Sequence, residues 1–333
     1  MTKACHVVAC LSVILPMAVW GAPAAKAGPL AACSTEKLHN NEEIVECMLA
    51  ITAQCPDISK LDHIGTSTAG NDIFALKFST DLTDYPIDHV NYRRRTSIGL
   101  LANMHGNEAT GRELLFWVMT HICKNRAATD KLVVQHLLQN TDIWILPTIN
   151  PDGFNERYKS AAIYRDNSSQ GQSNMSKEDL DNFAKYWVTG RYIKDKSDMN
   201  RNFPAFNGEI YGNATSEEEL RNNLAASQLF NRTFIENLEK YMMKDLEKET
   251  RLIIDFLDKT PMDFAINFHD GAQVVNYPFD AGISGKHVYT PTPDDTLYID
   301  TSKGRMLIIW DCDTVMFFCV GQTLPSKHAV SNN

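Results

Sequence analysis

The chain lacks any excess of positive charge. A net charge of −9 over 333 residues gives no electrostatic reason for binding a nucleic acid, whose phosphates demand lysine and arginine. It also lacks an apolar run long enough to span a bilayer comfortably. Val7 to Trp20 is too short, and Met306 to Val320 is both short and interrupted by Asp311 and Asp313. No internal repeat is visible, which excludes a solenoid. Most tellingly, no glutamate follows Glu249, so the last part of the chain can contribute no such carboxylate to proton transfer. What is present is ordinary. A hydrophobic content of 44% and a charged content of 22% belong to a globular protein, large enough for one α/β domain or two small ones.

The first residues read as a secretory signal over 1–27. Lys3 supplies the positive start, Val7 to Trp20 the apolar stretch, and Ala25-Lys26-Ala27 a small-residue cleavage site. The expected location is therefore extracellular or the lumen of the secretory pathway. Asn167-Ser168-Ser169, Asn174-Met175-Ser176, Asn213-Ala214-Thr215 and Asn231-Arg232-Thr233 are glycosylation triplets, which suggests glycosylated surface loops. Six cysteines remain after the leader: Cys33, Cys47, Cys55, Cys123, Cys312 and Cys319. An oxidising compartment favours some pairing, but the spacing does not choose the partners. Cys123 could equally be a free thiol on a core helix.

Periodicity gives an alternation of elements. A helix is expected within Glu36 to Cys55, with Ile44, Val45, Met48 and Leu49 at helical spacing. A hairpin follows around Gly70-Asn71. Ser97 to Ala102 reads as a strand, Glu108 to Lys124 as a helix, Leu132 to Leu138 as helical, and Thr141 to Ile149 as a buried strand. Tyr158 to Lys185 and Gly208 to Glu249 are polar and read as surface excursions, the second merging into a helical stretch from Leu229 to Phe256. Strands alternating with helices predict a doubly wound α/β sheet covered on both faces, with ligands beyond the carboxyl ends of its strands.

Three residues at such ends carry metal chemistry. His105 and Glu108, three apart after an apolar strand, can grip one ion from one side. His269, at the end of Phe264 to Phe268, can complete a three-ligand site for one Zn2+ with a position left open for water.

Several motifs then occur in order: Asn103-Met104-His105-Gly106-Asn107-Glu108, Gly111-Arg112-Glu113-Leu114-Leu115, Leu146 to Phe154, Asn200-Arg201-Asn202-Phe203-Pro204, and His269-Asp270-Gly271-Ala272 leading to Asn276-Tyr277-Pro278-Phe279-Asp280. From about Glu36 to Asp295 the chain resembles the zinc metallocarboxypeptidases, and more narrowly their regulatory branch containing carboxypeptidases E, N, D and M. The resemblance implies a single doubly wound domain over 36–300, with a mixed, mostly parallel twisted sheet flanked by helices. It implies zinc on His105, Glu108 and His269. It implies that Asn200 and Arg201 hold the substrate's terminal carboxylate, that Arg191 stabilises a developing oxyanion, and that Asp280 at the base of the specificity pocket selects Lys or Arg. The implied partners are the C-termini of peptides or proteins, and the implied enzyme is a monomeric exopeptidase.

The chain also departs from the family. Tyr192 to Met199 replaces an Asn- and Gly-containing stretch, and Asp270 stands where glycine is usual after the ligand histidine. The family glutamate that activates zinc-bound water has no counterpart after Glu249. Past about residue 300 the resemblance stops, and residues 301–333 form a divergent tail. The final strands and the transthyretin-like β-domain of this branch are not found. Asp311 and Asp313 sit in no matching motif. The alternative expectation is thus a non-catalytic binder of zinc and peptide ends, or an inactive truncated isoform.

Overall fold

The computed structural model describes residues 33, 37–83, 95–128, 132–168, 188–193, 197–204, 246–260, 262–271, 275–276 and 315–318, with a few isolated positions between 216 and 299. Helix α1 spans Asn41–Gln54. The hairpin follows as β1 (Ser59–Thr66) and β2 (Asp72–Phe78), then β3 (Thr96–Ala102), α2 (Thr110–Asn125), α3 (Leu132–Asn140), β4 (Thr141–Leu146) and α4 (Pro151–Ser168). The later elements are α5 (Lys248–Lys259), β5 (Phe264–Asp270), β6 (Val275–Asn276) and β7 (Val315–Phe318). The seven strands form one mixed sheet in the order β1-β2-β4-β3-β5-β7-β6. Its centre, β4-β3-β5, is parallel. The β1-β2, β2-β4 and β5-β7 pairs are antiparallel.

Alternation along each strand sorts side chains between two cores. Leu76, Phe78, Ile143, Ile145, Ile266 and Phe268 face one side, against Ile44, Met48 and Ile51 of α1, Leu115, Phe116 and Met119 of α2, and Leu138 of α3. Ile73, Ala75, Leu101, Trp144, Leu146 and Ala265 face the other, against Ile253, Phe256 and Leu257 of α5. Each such aliphatic or aromatic side chain contributes about 1.5–3 kcal/mol on leaving water. Both faces are covered, as a doubly wound sheet requires.

Local chemistry sets the element ends. Asn40 and Glu43 form a reciprocal capping box at the start of α1. At α4, the Asn150 side chain accepts a hydrogen bond from the Gly153 amide at 2.9 Å, and Pro151 opens the helix, where its missing amide costs nothing. The polar segment expected to be a surface excursion from Tyr158 therefore begins as a continuation of this helix. Asn167 likewise lies in α4 and not in a loop; Asn174, Asn213 and Asn231 lie outside the described residues. The helix expected from Leu229 to Phe256 begins only at Lys248, after Glu247 in extended backbone, and runs on to Lys259; residues 224–245 lie outside the described ones.

Two disulfides fasten α1. Cys33 pairs with Cys47, with Cα atoms 5.6 Å apart, and Cys55 pairs with Cys123, at 5.9 Å. Cys123 is thus bonded across the core and not a free thiol. Cys312 and Cys319 lie outside the described residues. In the divergent tail, β7 adds to β5 along Asn267 to Asp270, so part of that strand's outer edge is paired.

Candidate metal centre

Adjacent parallel strands bring the centre together. β3 pairs with β5 so that Leu101 lies opposite Asn267 and Ala102 opposite Phe268. The loop leaving β3 and the end of β5 therefore emerge side by side. His269 projects from the penultimate position of β5, two residues beyond Asn267 on the same face. His105 and Glu108 occupy the loop between β3 and α2.

That loop is held by Asn103. Its φ of 60° turns the chain sharply at the strand end. Its side-chain amide donates to the carbonyls of His105, Gly106 and Glu108 at 3.0, 3.1 and 3.0 Å. Its carbonyl accepts from the Thr148 hydroxyl at 2.6 Å. Gly106 then allows a close approach of three backbones. A Cβ there would overlap the backbone of Gly153 and Phe154 and lie 2.5 Å from the Gly190 carbonyl oxygen. This junction seats the ligand loop against the start of α4 and against the segment carrying Arg191.

The three expected ligands converge. Their ligating atoms lie within 4.8 Å of one another, and all three residues are buried. His105 Nδ1 is 2.9 Å from Glu108 Oε1, His269 Nδ1 is 2.7 Å from Glu108 Oε2, and the two Nδ1 atoms are 3.1 Å apart. Tetrahedral zinc with bonds of about 2.0–2.1 Å separates two nitrogens by roughly 3.4 Å, so the donor set fits that ion with small adjustments. The outward nitrogens fit it too. His105 Nε2 is 3.0 Å from Asp198 Oδ1, a carboxylate placed to fix the ring's tautomer. His269 Nε2 faces the Asn267 amide at 3.3 Å, and Asn267 Oδ1 is buried without a hydrogen-bond partner. With the amide turned over, that oxygen accepts from Nε2–H and leaves Nδ1 free to bind a metal.

Charge is organised around the cluster. Arg191 Nη1 lies 2.8 Å from Glu108 Oε1, and Nη2 3.6 Å from Asp198 Oδ2. Burial opposes ionisation of Glu108, but hydrogen bonds from His105 and His269 prevail and hold its carboxyl well below the usual range. Burial likewise opposes the charge on Asp198, and its bond to His105 with the nearby Arg191 brings it down to about 2. His105 is lowered by burial yet raised overall by its bonds to Asp198 and Glu108. His269, more deeply buried, is pushed down despite Glu108.

The other expected residues divide. Arg191 reaches the cluster. Asn200 sits beside it in a single 3-10 turn, Met199–Arg201, its backbone N–H donating to Asp198 Oδ1 at 2.9 Å. Arg201 is exposed, with Nη1 on the Asn200 carbonyl at 2.9 Å. Asp280 lies outside the described residues. Asp198, Asn103 and Asn267 were not foreseen as site residues. The signal for Asp198 was its place two residues before Asn200, on the turn that carries the expected carboxylate clamp.

A model of the zinc carboxypeptidase family matches residues 44–305. The chain belongs to the zinc carboxypeptidase family. It is 32% identical over 290 residues to the carboxypeptidase N catalytic chain of Mus musculus, covering 84% of this chain and 55% of that one. It is 31% identical over 260 residues to carboxypeptidase E of Caenorhabditis elegans, covering 77% and 47%. The chain thus spans about half the length of these curated relatives. Among solved structures, thrombin activatable fibrinolysis inhibitor shares the fold with a TM-score of 0.54 at 17% identity, over 83% of this chain and 57% of that one. The carboxypeptidase A from Helicoverpa armigera does so with a TM-score of 0.50 at 16% identity, over 86% and 58%. As a zinc carboxypeptidase, the chain takes zinc as its cofactor, and His105, Glu108 and His269 lie grouped as a possible site for it.

Proposed function

We propose that this chain is a zinc-dependent exopeptidase acting on peptide or protein C-termini that end in Lys or Arg, in the secretory lumen or outside the cell. The observation that carries the proposal is the buried His105, Glu108 and His269 cluster at the carboxyl ends of β3 and β5. Two neutral imidazoles and one carboxylate leave a bound zinc with residual positive charge, so that it supplies a Lewis acid for a peptide carbonyl and for water. Around it, Arg191 carries a guanidinium for an oxyanion, and Asn200 and Arg201 carry donors for a terminal carboxylate. The similarity to carboxypeptidases N and E supports the basic preference, with Asp280 as the carboxylate that would meet the substrate's cation. Two disulfides and the leader-like start favour an oxidising compartment.

One observation favours a second reading, a non-catalytic receptor for zinc and peptide ends. Among the described residues, the carboxylates bonded to the ligand histidines are Glu108 and Asp198, each already held by the cluster. Incubation with a peptide ending in arginine separates the readings. Arginine release abolished by a chelator supports the exopeptidase. Zinc-dependent binding of the peptide without release supports the receptor. Neither release nor binding overturns both.

A further inference from the structure

Helix α2 starts two residues after the ligand Glu108, and the residue at its N-cap is Ala109, which has no side chain to cap it. The cap comes from another element. Asp270, the residue directly after ligand His269, accepts from the Thr110 amide at 3.1 Å and from the Thr110 hydroxyl at 3.0 Å. Its own backbone amide points back and donates to Glu108 Oε2 at 3.3 Å. Just beyond, Gly111 lets α2 lie against β5, with a Cβ there overlapping the Phe268 side chain. One residue therefore joins the segment that carries His269 to the segment that carries His105 and Glu108, by two bonds through its carboxylate and one through its backbone amide.

We propose that Asp270 is a positioning residue for the metal centre: it braces the start of α2 against the end of β5 and so fixes Glu108 relative to His269. The proposal rests on the zinc-centre reading. The charge at the first turn of α2 also suits the helix dipole.

The test is zinc affinity, measured by competition with a chromophoric chelator, together with the thermal midpoint of the zinc-free protein. Asp270→Gly is expected to lose about 10–100-fold in zinc affinity, the range for partners that orient metal ligands. Asp270→Asn keeps an acceptor oxygen toward Thr110 and is expected to stay within about threefold of the parent, since Asn and Asp cap comparably. If Asp270→Gly does not fold, Thr110→Val removes one donor alone and is expected to lower affinity by a smaller factor. Unchanged zinc affinity in Asp270→Gly or, where that fails to fold, in Thr110→Val overturns the brace, and a lowered midpoint with unchanged affinity makes Asp270 only a helix cap. Equal losses in Asp270→Asn and Asp270→Gly overturn the brace as well. His105→Ala serves as the control: if it binds zinc like the parent, the zinc-centre reading fails, and the proposal with it.

Discussion

Asn103 gives the sharpest perturbation of the ligand loop. Its amide hydrogens are shared among three carbonyls at 3.0–3.1 Å, and its oxygen accepts from Thr148. The residue is fully buried, so water cannot replace these bonds. Asn103→Gly keeps the backbone free to hold φ near 60° but removes every bond. Two donated bonds and one accepted bond, at about 1 kcal/mol each, make a loss of about 3 kcal/mol. Asn103→Ala adds about 1 kcal/mol for a Cβ in the left-handed region. Asn103→Asp keeps the shape but turns acceptors toward three carbonyls, so it should destabilise at least as much as alanine. Denaturant unfolding followed by tryptophan fluorescence, at constant slope, reads all three. Zinc affinity should fall in the same order, because the carbonyls released belong to the ligand loop. If Asn103→Asp or Asn103→Gly unfolds within about 0.5 kcal/mol of the parent, the loop is not held by this side chain and the reasoning is wrong.

Gly106→Ala should give protein that is insoluble or destabilised by about 3 kcal/mol or more, since the new methyl meets backbone and not a yielding side chain; recovery of a folded, zinc-binding variant would refute the three-backbone junction. Replacing Cys55 and Cys123 by serine should cost about 4 kcal/mol, because their bond closes a loop of 68 residues, and a thermal midpoint insensitive to reductant would contradict it. Zinc binding should weaken with acid, by up to about tenfold per pH unit below the raised titration of His105, since the ion must displace that proton. Asp198→Asn removes a bond that raises His105, so the weakening should set in at lower pH; a midpoint that stays put or rises would show that Asp198 does not hold the ring.

The order of elements and the ligand triad were legible because both rest on local pattern. Ile143, Trp144, Ile145 and Leu146 announce a strand buried on both sides, and His105 and Glu108 sit where such strands end. Helix α4 was less visible. Its cap, Asn150, and its opening Pro151 read as the close of a strand, and its later sequence is polar. The pairing of Cys55 with Cys123 depends on α1 lying against α2, which no spacing reveals. Asp198 matters through a ligand 93 residues away, so a contact between segments, not a motif, gives it its role, while Asn267 meets His269 within β5 itself. Asp270 is an oddity in the sequence, and its bonds to Thr110 across the two segments give it a structural reason that no local pattern carries.

The central claim is that His105, Glu108 and His269 hold one zinc ion. Metal analysis of the purified chain after dialysis against limiting zinc tests it most directly. The account predicts one zinc per chain in the parent and none in a His105→Ala, His269→Ala double variant that retains its circular dichroism spectrum. Equal zinc in the two proteins, or none in a folded parent, would contradict it.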